Sequence, residues 1–171
     1  MGNAEIVVLR AVHIVFGSFW VGTVLAGTFF FFPSARAMGV EGGKYIQRLM
    51  AGKYPKVVSS AAGLTLLSGY RLIWIVSGGL TAAWAQSRYG IALLSGTIDA
   101  TIAFVVGIVM VKKTGEKMAA LGAQIAASGQ PPTPEQGAQI AAYQKTQKLG
   151  MYITSVLLTL TLLAMAVARF I

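Results

Sequence analysis

The sequence predicts an all-α integral membrane protein: a bundle of four transmembrane helices, both termini on the outer face, with a cytoplasmic helical hairpin extending helices three and four. Three observations lead there. The chain is 56% hydrophobic and only 11% charged, against about 25% charged in an ordinary soluble domain. Four apolar runs each reach the length of about 20 residues that crosses roughly 30 Å of hydrocarbon at 1.5 Å per residue. Nearly all basic residues fall in the loops between those runs, so the net charge of +9 reports topology, and no nucleic-acid partner is expected.

The first run covers residues 6–32 and is expected to stop at Pro33-Ser34. It lacks a basic n-region and is too long for a signal-peptide core, so it reads as a retained span. The second, 57–77, lies between Pro55 and the Ser77-Gly78-Gly79 break. The third, 91–111, ends at Lys112-Lys113, and the fourth covers 150–171. Residues 112–149 form the hairpin within what reads as one membrane domain, 1–171. Residues 114–128 have alanine-rich helical composition, Gly129-Gln130-Pro131-Pro132 is the turn, and Thr133-Pro134-Glu135 starts a helix with proline at its first position. The hairpin reads as solvated or surface-lying, with partner docking as the sharper alternative. In the second loop, Trp84 and Tyr89 suit the membrane interface.

Orientation follows from the retention of Lys and Arg on the cytoplasmic side. The first loop carries Arg36, Lys44, Arg48, Lys53 and Lys56, and the third carries Lys112, Lys113, Lys117, Lys145 and Lys148. The second has only Arg88. Both basic loops are therefore expected inside.

With no cysteine and one histidine, the chain has no disulfide, no thiolate metal site and no His-rich metal cluster of its own. Phosphate-binding loops, nucleophile constellations and zinc-spaced ligands are also missing, which disfavours soluble-type hydrolase or nucleotide-binding activity. Chemistry is concentrated in the intramembrane ionisable residues Arg10, His13, Arg71 and Asp99. Each costs about 2.5–3.5 kcal/mol near a helix centre unless partnered, hydrated or snorkelling. Counted inward at 1.5 Å per residue, Arg10 lies about 6 Å deep, His13 and Arg71 about 10 Å, and Asp99 about 12 Å. Three helices thus deliver polar groups to one outer layer.

Arg10, His13, Gly17 and Trp20 follow the spacing of one helical stripe. On the third span, Ala92, Gly96, Asp99, Ala103 and Gly107 form a small-residue stripe that permits close approach or leaves room for a flat ligand. In one reading Asp99 pairs with Arg71 or Arg10 only to satisfy charge, while Arg10 snorkels. In another the same residues hold haem b: His13 as axial ligand, Arg10 and Arg71 on the propionates, Asp99 organising that charge, and Gly17 leaving room. A proton or ion pathway through Asp99 and His13 is the third. Met165, near the His13 layer, is the second candidate metal ligand, though methionine there also suits packing. Tyr152, Ser155 and Thr159 read as interhelical hydrogen bonding, and the phenylalanine run 29–32 as lipid contact.

The first span, with His13 followed seven residues later by Trp20-Val21-Gly22, resembles the opening helix of small bacterial membrane proteins. These include the copper-resistance protein D domain and the HemJ type of protoporphyrinogen oxidase. The closing Met165-Ala166-Val167-Ala168-Arg169-Phe170 and the long loop before the last span are similar to four-span relatives of that group. The resemblance implies a bacterial cytoplasmic (inner) membrane, a helical bundle with its histidine near the outer side, and, in the HemJ branch, b-type haem on that histidine. HemJ proteins carry a functional lysine on a later helix, where this chain has Asp99 and no lysine before Lys112; protoporphyrinogen oxidation is therefore not carried over. Outward Met and His clusters suited to copper are missing as well. The sequence reading is thus a haem-binding redox or electron-transfer membrane protein. Its rivals are a noncatalytic accessory subunit, packed in lipid against partner subunits or further copies of itself, and a small-solute or proton transporter.

Overall fold

The computed structural model describes residues 3–171, and these form helices and their connections, with no strand among them. In chain order the elements are α1 (Asn3–Ala26), a π-helical turn (Gly27–Phe31), α2 (Phe32–Ala37), α3 (Gly39–Ala51), α4 (Tyr54–Val76) and α5 (Ala82–Gln86). Then come α6 (Arg88–Val106), a second π turn (Gly107–Lys112), α7 (Lys113–Ser128), α8 (Pro134–Val167) and a 3-10 turn (Ala168–Phe170). Three continuous helices are long and apolar enough to cross a membrane: Asn3–Ala37, Arg88–Ser128 and Pro134–Phe170. α4 has 23 residues but is not one of these, because Ser59, Ser60, Thr65, Ser68 and Arg71 dilute its apolar surface.

Residue pairings set the arrangement. His13 and Gly17 of α1 meet Gly69 and Thr65 of α4 in antiparallel order, and Gly96 of α6 and Met110 of the second π turn meet Met165 and Gly150 of α8. The result is two closely packed pairs, α1 with α4 and α6 with α8. They join at mid-height, where Trp20, Val21, Ala62, Leu66, Ala100, Ala103 and Leu158 form one buried cluster. Alanines on α4 and α6 leave space for the indole, which meets Phe104 edge-on at 6.4 Å. Leu158 is 1% exposed. Leu158→Ala is expected to lower the unfolding free energy in detergent by about 2–5 kcal/mol, because the four-helix junction cannot close over the lost volume; denaturant unfolding measures it. Nearer the lysine-rich end, the Ser155 hydroxyl donates to Thr28 Oγ1 at 2.9 Å and ties α8 to α1.

Pro33 does not end the first helix as the sequence suggested. The Phe32 N–H reaches back to the Gly27 carbonyl, widening one turn, and Pro33 then sits in the first turn of α2, where its missing N–H and ring are tolerated. Phe32 is turned inward by this geometry and is 3% exposed, while Phe29, Phe30 and Phe31 stay on the surface.

Helix α3 was also not foreseen within the first loop. Gly42, Ile46 and Met50 form its buried face, joined by Phe32, Ala35 and Met151, and Lys44 pairs with Glu41 at 2.7 Å on the exposed side. Gly115 and Gly122 of α7 admit Met50 and Gln47 of α3. α7 ends at Gly129 in the left-handed region (φ 64°). α8 opens with a capping box: Gln136 N–H donates to Thr133 Oγ1, and Thr133 N–H donates to Gln136 Oε1. The Glu135 backbone N–H and the Thr133 hydroxyl hold the Glu135 carboxyl below the usual carboxylate range.

Candidate functional site

Two glycines on facing helices create the site. On α1, His13 and Gly17 are one turn apart; on α4, so are Thr65 and Gly69. Each side chain lies over the other helix's glycine: a Cβ on Gly69 would come 2.8 Å from His13 Cε1, and one on Gly17 would come 3.3 Å from Thr65 Cγ2. Without a Cβ at Gly69, one turn beyond Thr65, the Thr65 carbonyl is reachable from the side. His13 Nδ1 lies 2.8 Å from it. A carbonyl can only accept, so Nδ1 carries the proton, and the lone pair of the neutral ring is on Nε2. Ser68 Oγ is 3.5 Å from the same Nδ1, and Nε2 has no hydrogen-bond partner among the described residues.

The imidazole borders a cavity of about 530 Å³ between the two helix pairs, well within the 300–1,000 Å³ of cofactor-sized sites. Its walls are largely aliphatic, with Leu66, Leu93, Leu158 and Leu162 contributed by three helices. Trp20 is its floor and also borders a smaller cavity of about 80 Å³ toward the lysine-rich end. Arg10 of α1 and Arg169 after α8 are exposed residues on the rim of the larger cavity, and neither forms an ion pair among the described residues. The Arg169 guanidinium rests over the Phe170 ring at 4.9 Å.

Of the residues singled out in the sequence, Arg10, His13, Gly17, Trp20 and Met165 all line this cavity. Arg71 and Asp99 do not. Arg71 is bound to Glu5, Nη2 to Oε1 at 2.7 Å and Nε to the same oxygen at 2.8 Å. Glu5 lies in the first turn of α1, outside the set of intramembrane charges read from the sequence, and it takes the partner expected for Asp99. Asp99 is half-buried on the side of α6 that carries Ala92, Gly96 and Ala103, away from the cavity-lining Leu93, Thr97 and Ala100, and pairs with no cation among the described residues. Gly69 and Arg169 were missed. The signal for Gly69 was its four-residue offset from Thr65, which means something only once α4 is known to face His13.

Both partners of the Arg71–Glu5 pair are more than a third exposed, so solvent screening holds its contribution to about 0–1 kcal/mol. Arg71→Gln is therefore expected to change the midpoint of denaturant unfolding in detergent little.

Among the described residues no three His, Cys, Asp or Glu side chains gather as a metal-binding group. An ion held by protein ligands alone has no such cluster to occupy, whereas haem iron needs one or two protein ligands beyond its porphyrin. Comparison with protein-family models, curated proteins and solved structures returns no match.

Proposed function

We propose that this chain is a haem b-binding membrane protein with a redox or electron-transfer role, its site in the outer half of a four-span bundle. The span set is α1, α4, α6 and α8, with both termini on the outer face of a bacterial cytoplasmic membrane. α4 counts as the fourth span because it lies antiparallel along α1 with Thr65, Ser68 and Arg71 turned to that helix, which offsets its lower hydropathy.

The observation carrying this reading is His13: Nδ1 is held by the Thr65 carbonyl, Nε2 has no hydrogen-bond partner among the described residues, and the residue lines a large, mostly apolar cavity. Metal-ligating histidines are oriented in this way, one nitrogen fixed by a backbone carbonyl and the other free to bind. The remaining chemistry fits haem. Aliphatic walls suit a porphyrin, and Arg10 with Arg169 would receive its propionates at the rim. Met165 lines the same cavity and would be a second candidate iron ligand. The resemblance of the first span to the HemJ group points the same way. When bound, haem iron supplies a one-electron couple. The residues' own tasks are to fix the imidazole, exclude water and neutralise the two carboxylates.

Titration of the purified apoprotein with haemin tests the assignment. Saturation at one equivalent with a sharpened Soret band is expected. Absorbance that rises without saturation, as for haemin in empty detergent micelles, contradicts it.

Asp99 favours a second reading, a noncatalytic subunit of a larger membrane complex. A carboxylate in a membrane span without a cation is a residue that a neighbouring helix can satisfy. A stable assembly that survives His13→Ala supports that reading.

A further inference from the structure

The four spans leave two kinds of seam. α1 against α4 and α6 against α8 are packed through glycine contacts along their lengths. The other two seams, α4 to α6 and α1 to α8, border the large cavity and differ from each other. Between α4 and α6, Tyr70 OH and Thr101 Oγ1 meet at 2.8 Å and stitch the helices together; the cavity-lining α6 residues are buried or half-buried, and on α4 only Tyr70, held by that bond, and Val76, at the outer end, both line the cavity and are exposed, at 42% and 36%. Between α1 and α8 the Ser155–Thr28 bond lies below the Trp20 floor. Above the floor the described residues provide no hydrogen bond from one helix to the other.

That upper part of the α1/α8 seam is bordered by residues that both line the cavity and are exposed outside it: Arg10, Ile14 and Ser18 from one side, Leu162 and Arg169 from the other. Ile14 is 63% and Leu162 48% exposed. A side chain that touches the cavity and the exterior at once marks an edge of an opening. This opening is apolar at its middle and carries at its top two guanidinium groups that form no ion pair among the described residues; in the proposed topology its middle faces acyl chains and its top lies at headgroup level.

We propose that the α1/α8 seam is a lateral entrance from the outer leaflet, used by a flat apolar molecule bearing carboxylates, with Arg10 and Arg169 receiving those carboxylates at the rim. With haem as that molecule the inference rests on the reading above. It adds the direction of loading: the ligand arrives from lipid between two helices, so its apolar body need not cross water, and its anionic edge stops at the arginines.

The absence of cysteine makes the test clean. Ile14→Cys and Leu162→Cys are combined and bridged by a cleavable bismaleimide across the seam. Leu67→Cys with Val105→Cys, exposed residues outside the cavity lining, three residues before Tyr70 on α4 and four after Thr101 on α6, is the control. Each protein is reconstituted without haem into phosphatidylethanolamine/phosphatidylglycerol vesicles, haemin is added, and growth of the Soret band is timed. The α1/α8 bridge is expected to slow uptake at least tenfold, with the rate restored on cleavage, while the control bridge leaves it unchanged. Equal rates with the α1/α8 bridge closed and cleaved overturn the entrance and leave the haem reading standing. No Soret band in any form, including the unmodified protein, overturns the haem reading and the entrance with it. Arg10→Gln/Arg169→Gln protein is expected to release haemin faster in the same vesicles; an unchanged release rate removes the arginines from the proposal.

Discussion

His13→Ala protein from haem-replete cells is expected to be colourless, with extractable haem per chain at least about tenfold below that of the unmodified protein. The chain has a single histidine, so no second imidazole can take over. Met165 alone is a weak ligand, and the apolar cavity retains some affinity for porphyrin without holding its iron. Loss of colour could also follow from misfolding, and imidazole addition separates the two. The substitution removes a ring that lies against Gly69 and leaves a space of the ring's own shape. Free imidazole at millimolar concentration should enter that space and restore a Soret band if His13 acts as ligand. A chain that stays colourless although its unfolding midpoint is unchanged would assign the loss to something other than ligation.

Gly69→Val carries the second large effect, because it reaches His13, the proposed iron ligand, without changing it. A Cβ at Gly69 would come 2.8 Å from Cε1 and 3.1 Å from Nδ1 of His13, closer than non-bonded atoms settle. The ring must swing away, which breaks the 2.8 Å bond to the Thr65 carbonyl and turns the imidazole from the orientation that bond fixes. Removing an orienting partner of this kind weakens metal affinity by about 10–100-fold, and haemin titration should read that loss. Gly63→Ala on the same helix is the matched control. Its Cβ meets no atom within 4 Å, and haemin affinity should be unchanged. An equal loss in both proteins would mean that α4 tolerates no added side chain, and the effect would then say nothing about His13.

The stripe of Arg10, His13, Gly17 and Trp20 was legible because a single helix places residues by spacing alone, and all four border the cavity. The helix beginning at Pro134 was legible from Thr133-Pro134-Glu135, with proline at its first position, and the structure adds a capping box there. Asp99 and Arg71 were misplaced together for one physical reason: equal depth does not fix rotation about the helix axis. Asp99 is on a side of α6 away from the cavity-lining residues, and Glu5, in the first turn of α1, reaches the guanidinium instead. Pro33 misled for a different reason. Proline's penalty assumes an undisturbed α-helix, and the π turn from Gly27 to Phe31 changes the register in which the missing N–H would be felt. Helix α3 was hidden because Gly42, Ile46 and Met50 are too few apolar positions to announce a helix. Its buried face has meaning only against α2 and α7, which the membrane segments bring to it.

The visible spectrum of the purified protein, oxidised and then reduced with dithionite, tests the central assignment most directly. The account predicts a Soret band that shifts on reduction, with resolved α and β bands and about one haem b per chain on extraction. A featureless spectrum from haem-replete cells, together with no extractable haem, would contradict it.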